Sequence, residues 1–291
     1  MPKRGALRAR CAPCSHCYHL ARAKDVAMNA QPQEPPLSTT EKVAHLLLAF
    51  EPGPGNIVMD RSVSELARAV GRERSQVSRM LASLRRTGVI EQDLETRRYR
   101  LGWRMRVMAS GAGDQLLVNA ARPTLQTVVA RTEEVALLSV QEANRSLTVM
   151  REESQNTLQG GGWVGRRSAM HYSASGRALL FDSDDEVVEA LTSEDLAQNL
   201  RSGPAAPTSL ETLLQRLREE RRQGYSVASE ELEVGLTSVG APVRNAHGHI
   251  IAVVNVSGPT PRIVGSTDVI GRLLIAASNS ISRALRKTAN R

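Results

Sequence analysis

The sequence has only three cysteines, and all of them lie within residues 11–17. Three clustered cysteines cannot form a disulfide framework for a chain of 291 residues, which excludes the disulfide-rich secreted class. No apolar run approaches the roughly 18 residues that span a bilayer, and residues 1–30 lack the apolar segment of about 7–15 residues found in secretory signals. We therefore expect a cytoplasmic protein with no membrane partner.

Positive charge is concentrated at one end of the chain. The net charge is +8, and residues 60–106 hold twelve arginines against six acidic residues. Residues 107–291 hold nineteen basic and twenty acidic residues. A positive field confined to one end indicates a module that binds a polyanion such as nucleic acid, joined to an electrically balanced second domain.

Residues 1–37 are rich in proline and small polar residues, which predicts a disordered basic tail. This tail contains side chains of the types that bind zinc: Cys11, Cys14, His16, Cys17 and His19. A structural zinc site normally uses two separated ligand pairs around a folded loop, and these five residues lie within one short stretch. We therefore expect no metal here, and nothing in the sequence indicates a cofactor.

The segment after the tail has the pattern of short helices. Capping-box sequences of the form S-x-x-E begin at Ser38 and at Ser62, each followed by an apolar stripe at helical spacing. Gly71 ends the second helix, and a third is predicted from about Arg74 to Arg86. Two short helices around a glycine turn predict a helix-turn-helix that binds DNA.

The outward face of the third helix carries residue types that hydrogen-bond to base edges or phosphates. They are Arg74, Ser75, Gln76, Ser78 and Arg79. We predict base contacts for Gln76 and Arg79. The segments Val89–Ile90 and Arg98–Leu101 predict a hairpin, a basic wing that presents Arg97, Arg98 and Arg100 to DNA, with phosphate contacts assigned to Arg97 and Arg98.

The patterns divide the chain into a winged helix-turn-helix domain at 38–102, a linker helix at 103–118 and a second domain at 119–291. Strands of the second domain are predicted at Val135–Val140, Ser146–Arg151, Leu236–Pro242 and His249–Val256. Helices are predicted near Gln115–Arg131, Gly176–Phe181, Asp184–Leu191, Glu194–Leu200, Ser209–Gln223 and Thr267–Lys287. An antiparallel sheet flanked by helices gives an α+β fold class.

Several segments resemble the IclR family of bacterial transcriptional regulators. The similar segments are Ser64–Ala67 through Tyr99–Gly102, Ala121–Leu125, Met170–Leu180, Arg222–Gly235, Ala241–Val243 and Val256–Pro259. The resemblance covers about residues 38–287 in the order and spacing of the family. It implies a winged helix-turn-helix, a linker helix and a GAF-like effector-binding domain, assembled as dimers and often tetramers. Arg177 and Ala228 depart from the family pattern, which usually has lysine at the first position and often an acidic residue at the second.

The resemblance also implies a site for a small-molecule effector. The family's ligand lies between a loop and helix start, here Ser173, Ala174, Ser175 and Gly176, and the strands that carry Ser238, Asn255 and Ser257. Hydroxyls, an amide and the backbone N–H groups of a helix start suit a small anionic metabolite. Because Ala228 adds no negative charge, we expect an effector with a carboxylate or aromatic-acid head and an apolar body.

Two other functions remain as alternatives. His171, His247 and His249 are available to pair with Ser173, Ser175 or Ser257 in a hydrolase fused to a nucleic-acid-binding domain. However, the sequence contains no G-x-S-x-G, no H-E-x-x-H, no Walker loop and no G-x-G-x-x-G directly after a predicted strand. Gly160, Gly161 and Gly162 indicate a flexible loop. The second alternative is an architectural DNA-binding protein without an effector. We expect a DNA-binding, effector-controlled regulator and not an enzyme.

Overall fold

The structure is a computed structural model that describes residues 37–51, 60–111, 113–198 and 203–289. The cysteine and histidine cluster of the N-terminal tail lies outside the described residues. Within the described residues, the N-terminal part has five elements and a following helix. They are α1 (Thr39–Leu48), α2 (Val63–Ala69), α3 (Arg74–Arg86), β1 (Ile90–Gln92), β2 (Tyr99–Leu101) and α4 (Trp103–Ala109).

Both predicted capping boxes are confirmed. At the start of α1, the Glu41 amide donates to Ser38 Oγ at 3.2 Å and the Ser38 amide donates to the Glu41 carboxylate at 2.7 Å. The same pair of bonds joins Ser62 and Glu65 at the start of α2, at 3.3 and 2.7 Å. Gly71 has φ of +61°, the left-handed conformation predicted for a glycine after a helix end.

The α1–α3 helices and the hairpin share one small core. Strands β1 and β2 pair in antiparallel register, with Ile90 opposite Leu101 and Gln92 opposite Tyr99. The fully buried members of this core come from α1 and the turn after it, from α2, from α3 and from β1, which fixes α3 against α2 and the hairpin. They are Leu46, Phe50, Leu66, Val77, Leu81 and Ile90.

The remainder of the chain is built around a six-stranded sheet. Its strands are β3 (Val135–Glu142), β4 (Arg145–Glu152), β5 (Arg167–Ala169), β6 (Ser226–Ser229), β7 (Leu236–Arg244) and β8 (Ile250–Pro259). Its helices are α5 (Gln115–Thr132), α6 (Ala174–Leu179), α7 (Asp185–Ala197), α8 (Leu210–Gln223), α9 (Thr260–Ile263) and α10 (Thr267–Ala289). All strand pairs are antiparallel, in the order β5-β4-β3-β8-β7-β6.

The two faces of the sheet are covered by different helices. On one face, alternate residues such as Leu138, Val239 and Val254 pack against α5 and α10. On the other face, Val253 packs with α6, α7 and α8. We call this second side the α6 face. Because side chains alternate along a strand, Leu236, Ser238, Asn255 and Ser257 all belong to the α6 face.

Some predicted elements differ from the structure. The two acidic helices predicted at Asp184–Leu191 and Glu194–Leu200 are one helix, α7, in which Thr192 Oγ1 donates to the Val188 carbonyl at 2.7 Å. Strands β5 and β6 were not predicted, because three or four residues give too short a pattern to recognise. The core of the sheet domain includes Leu117, which lies before the predicted boundary at residue 119.

Candidate functional site

The predicted recognition face of α3 is fully accessible. Val77 and Leu81 are buried, whereas the five predicted polar residues are exposed: Arg74, Ser75, Gln76, Ser78 and Arg79. Their side chains make no hydrogen bond or ion pair within the described residues. Ser75, Ser78 and Arg79 are spaced three and four residues apart, so they lie on one side of the helix. The arrangement leaves two arginines and three neutral polar groups available to a DNA groove.

The three arginines of the wing differ in exposure and in hydrogen-bond partners. Arg97 is exposed at the tip of the hairpin, with φ of +59°, and is available to a phosphate. Arg100 is exposed but donates to the Glu91 carboxylate at 3.2 Å. Arg98 is half-exposed, and its guanidinium donates to the Asp60 carbonyl at 2.8 Å and to Glu65 at 2.9 Å. These bonds hold the wing against α2, and the phosphate contact of Arg98 stays a prediction.

Glu65 connects the wing to the capping box of α2. The Ser62 backbone and side chain, followed by the Arg98 guanidinium, lower the pKa of Glu65 from 4.5 to about 2. A carboxyl whose pKa is lower in the folded state stabilises the fold above its unfolded pKa, and loses that contribution as the pH falls towards the folded pKa. The stabilisation by Glu65 is therefore present above about pH 4.5 and is lost between there and about pH 2.

Replacement of Glu65 by glutamine is expected to remove this pH dependence. The wild-type melting temperature should exceed that of Glu65→Gln near neutral pH, and the difference should shrink steadily below about pH 4.5. Thermal unfolding followed by circular dichroism from pH 2 to 7 measures it. Glu95→Gln, an exposed glutamate of the same hairpin, controls for the loss of one charge. A difference that stays constant with pH would contradict the assignment.

Three polar side chains on the α6 face form the centre of the predicted effector site. Ser238 lies opposite Ser257 across the β7–β8 pair, and Asn255 is two residues before Ser257. All three are buried, at 7%, 2% and 5% exposure. In the part of the chain that the structure describes, none of the three side chains makes a hydrogen bond, and Asn255 Oδ1 is completely buried without a donor. Buried polar groups without partners are rare, so this cluster is suited to receive a ligand.

Ala228 belongs to the same cluster. It lies opposite Ser238 across the β6–β7 pair and is 2% exposed. Its methyl group provides no hydrogen-bond acceptor and no charge. The neutral side chains of the cluster therefore have no carboxylate beside them at position 228. The strands thus place Ala228, Ser238, Asn255 and Ser257 together, as the family resemblance implied.

The start of α6 borders this cluster, and its two serine hydroxyls are engaged in hydrogen bonds. Ser173 Oγ donates to the Ala169 carbonyl at 2.8 Å and accepts from the Gly176 amide at 3.0 Å. Ser175 Oγ accepts from Ser146 Oγ at 2.8 Å. The Gly176 amide is thus capped, and the anion site at the other N–H groups of this six-residue helix stays a prediction. Ala174 reaches the sheet instead: a Cβ on Gly240 would lie 3.3 Å from its backbone.

The triple glycine borders the cluster on its other side, in a loop whose backbone approaches the sheet closely. A Cβ on Gly160 would lie 2.1 Å from the Ser257 carbonyl oxygen, and one on Gly162 would lie 2.7 Å from Leu137. The backbone therefore packs directly on the α6 face. This loop continues into Trp163 and Arg166, two residues that sequence reasoning missed. An aromatic residue and an arginine just after three glycines were the available signal.

Arg177, which departs from the family's lysine, lies in α6, and its side chain belongs to a buried charge cluster. The side chain is 0% exposed. Its guanidinium donates hydrogen bonds to the carboxylates of Glu220, at 2.9 Å, and Glu231, and to the carbonyls of His171 and Val227. Burial lowers the pKa of this guanidinium, but the two carboxylates outweigh it and the net shift is upward. Arg177 thus anchors α6 to α8 and to the chain after β6.

The structure does not bring the candidate serine and histidine pairs together. The hydroxyls of Ser173 and Ser175 bond to backbone groups and to Ser146, and no histidine side chain is among these partners. His247 and His249 lie at the β7–β8 turn, where both are exposed. Among the described residues, no group of three or more His, Cys, Asp or Glu is placed to bind a metal ion. The helices of the described ranges also include none long and apolar enough to cross a membrane.

Comparisons with known proteins agree on one family. The IclR helix-turn-helix domain matches residues 39–94, and the bacterial transcriptional regulator IclR C-terminal domain matches residues 111–283. The chain is 24% identical over 227 residues to the HTH-type transcriptional repressor AllR of Salmonella paratyphi A, covering 77% of this chain and 82% of the relative. It is 29% identical over 202 residues to the HTH-type transcriptional regulator KdgR of Escherichia coli, covering 69% and 76%.

Solved structures share the architecture. An IclR homolog from Microbacterium hydrocarbonoxydans, crystallised in complex with 4-hydroxybenzoate, superposes with a TM-score of 0.74 at 26% identity over 86% of this chain and 100% of that chain. A transcriptional regulator from Alicyclobacillus acidocaldarius superposes with a TM-score of 0.72 at 22% identity over 86% and 99%. The second likeness concerns the fold alone.

Proposed function

The chain belongs to the IclR family of bacterial transcriptional regulators, and from that premise we propose that a small aromatic acid controls its binding to an operator. It has a helix-turn-helix DNA-binding domain and a C-terminal effector-binding domain, and its relatives are named transcriptional regulators. A regulator of this kind acts where the chromosome is, in the cytoplasm. We place its effector between the sheet cluster of Ser238, Asn255 and Ser257 and the start of α6.

The observation that carries this proposal is the group of three buried side chains without partners. An unpaired buried polar group costs about 1–3 kcal/mol, and a ligand that supplies the missing hydrogen bonds recovers that cost. Such a cluster is difficult to explain in an architectural protein or in a domain that only dimerises. The structural neighbour with 4-hydroxybenzoate supports an aromatic acid as the class of effector. Catalysis is not part of the proposal, since Ser173 and Ser175 bond to structural partners and the relatives are named transcriptional regulators.

We assign DNA contacts to α3 and to the tip of the wing. Gln76 and Arg79 read base edges in the major groove, Arg74, Ser75 and Ser78 flank them, and Arg97 binds a phosphate. Arg100 contributes positive charge beside Glu91. Arg98 supports the wing from within. These assignments give base recognition to α3 and a phosphate contact that positions the protein on DNA to the hairpin.

A dimer is the assembly that fits these contacts. Apolar side chains on α4 and at the start of α5 are exposed, with Trp103 at 73%, Val107 at 71% and Met108 at 62%. Exposed apolar groups of this size that lie close together mark an interaction surface, and a second copy of the chain supplies a matching one. Two copies place two α3 helices in successive major grooves and read a pseudo-palindrome. A tetramer follows when two such dimers associate.

Loss of either polar group at the centre of the cluster is expected to weaken effector binding. Ser257→Ala and Asn255→Ala should each reduce the affinity for 4-hydroxybenzoate by about 1–3 kcal/mol, as expected for hydrogen bonds to a buried ligand. Isothermal titration calorimetry of the full chain measures this loss.

Matched controls lie on a surface that faces away from the cluster. Ser280→Ala and Asn279→Ala make the same chemical changes at exposed positions of α10, on the opposite side of the sheet, and should leave the affinity unchanged. Wild-type affinity in both Ser257→Ala and Asn255→Ala, with melting temperatures preserved, would place the effector elsewhere.

A further inference from the structure

Arg166 is a partly buried cation at the edge of the effector site. Its backbone is held in place, because the Arg166 carbonyl accepts from the Thr148 amide at 2.9 Å. A Cβ on Gly161 would lie 3.2 Å from Arg166 Nη1 and 3.4 Å from Leu236 Cδ2, so the guanidinium lies beside Leu236. Leu236 is on the α6 face, two residues before Ser238. The positive charge is thus next to the polar cluster, under the triple-glycine loop.

None of the described carboxylates is paired with the Arg166 guanidinium. It makes no hydrogen bond and no ion pair with any described residue, in contrast to Arg151 and Arg167, whose carboxylate partners lie within 2.8 Å. Burial lowers its pKa, and the negative charge of Glu233 opposes this shift. Its close contact is the ring of Trp163, whose centroid is 4.7 Å from Arg166 Cζ. This cation–π contact leaves the N–H donors of the guanidinium without an acceptor among the described residues, so this position is prepared for an anionic group.

We propose that Arg166 binds the carboxylate of the effector, with the Trp163 ring beside it as an aromatic wall. The inference rests on the proposed effector site and adds the cation that the sequence did not identify there. A guanidinium binds a carboxylate through two parallel N–H donors, which fixes the direction of the acid as well as its charge. An indole face favours a flat apolar body next to the acid.

The end of the site at Asn255 determines which group the ligand carries opposite to its carboxylate. From Leu236 to Gly240, the partner of Asn255, the strand advances four residues, or about 13 Å. The hydroxyls of Ser238 and Ser257 lie between these ends. The Asn255 side-chain amide has both a hydrogen-bond donor and an acceptor, and a ligand hydroxyl can bond to either of them. The occupant is therefore an elongated aromatic acid with a hydroxyl group at the end opposite to its carboxylate.

The test compares an acid with its neutral analogue. Arg166→Gln is expected to weaken binding of 4-hydroxybenzoate to the full chain by about 10- to 100-fold, the range for a charge-assisted hydrogen bond. It should leave the weaker binding of 4-hydroxybenzyl alcohol unchanged, because that probe has no carboxylate. Arg166→Lys keeps the charge but loses the two parallel N–H donors. Its affinity for 4-hydroxybenzoate should therefore lie between those of the wild type and Arg166→Gln. Calorimetry gives the affinities, and melting temperatures confirm that each variant is folded.

Arg167→Gln is the matched control. It removes the same charge from the neighbouring residue, whose side chain is exposed and paired with Glu142, and it should change neither affinity. If Arg166→Gln weakens binding of the acid and of the alcohol equally, or binds the acid as tightly as the wild type, then Arg166 is not the anchor of the carboxylate. If Ser257→Ala still weakens the acid in that case, the proposed site stands. If the wild-type chain binds neither probe, both the anchor and the aromatic-acid effector are wrong.

Discussion

Replacement of Arg177 by methionine is expected to lower the free energy of unfolding of the sheet domain by about 3–5 kcal/mol, the cost of removing one partner from a buried ion pair. The side chain is fully buried between Glu220 and Glu231, which are 5% and 2% exposed. Methionine has a similar length but no charge, so the variant leaves two carboxylates in the interior with only Arg216 nearby, 2.7 Å from Glu231. Urea unfolding of the full chain followed by circular dichroism measures the loss.

The matched control for Arg177 is an arginine in an exposed pair. Arg218 donates to Asp185 at 3.1 Å with 62% of its side chain exposed, so Arg218→Met should cost less than about 1 kcal/mol. The deficit of Arg177→Met should also shrink at acidic pH, because burial raises the pKa of Glu231 and protonation of this carboxylate removes its charge. Equal effects of the two substitutions at neutral pH would show that the buried cluster contributes no more than a surface pair.

The sequence was most informative where structure is determined locally. A capping box needs only residues three apart, so both boxes and the α3 range could be predicted from the chain itself. The apolar stripe of α3 also predicted which side chains face outward. The predicted effector residues of the strands required the resemblance to a family, since the pairing of Ser238 with Ser257 joins distant segments.

Contacts between distant residues account for what the sequence did not reveal. The bond between Arg98 and Glu65 could not be predicted from the sequence, because the two residues are 33 positions apart and meet only in the folded domain. Arg166 was missed for the converse reason: it lies among other arginines, and only the fold distinguishes it from Arg167, which has a carboxylate partner. The sequence predicted a loop at the triple glycine but not its position, where the lack of side chains allows the backbone to contact the sheet.

Replacement of Arg79 by alanine is expected to weaken operator binding by about 1–3 kcal/mol and to relax specificity at one base-pair position. Arg79 is exposed on the same side of α3 as Ser75 and Ser78, and no described side chain competes for its donors. An operator selected from random duplexes with the wild-type chain provides the specific DNA, and a scrambled duplex of equal length provides the non-specific one. Fluorescence anisotropy on both duplexes measures the two affinities.

Arg97→Ala supplies the contrast that separates base reading from phosphate binding. Arg97 is exposed at the hairpin tip, so its loss should weaken both duplexes alike and lower the slope of log affinity against log salt by about one. Arg79→Ala should instead reduce the ratio of specific to non-specific affinity. If Arg79→Ala weakens both duplexes equally and changes the salt slope as Arg97→Ala does, Arg79 binds a phosphate. Base recognition would then rest on Gln76 and its neighbours on α3.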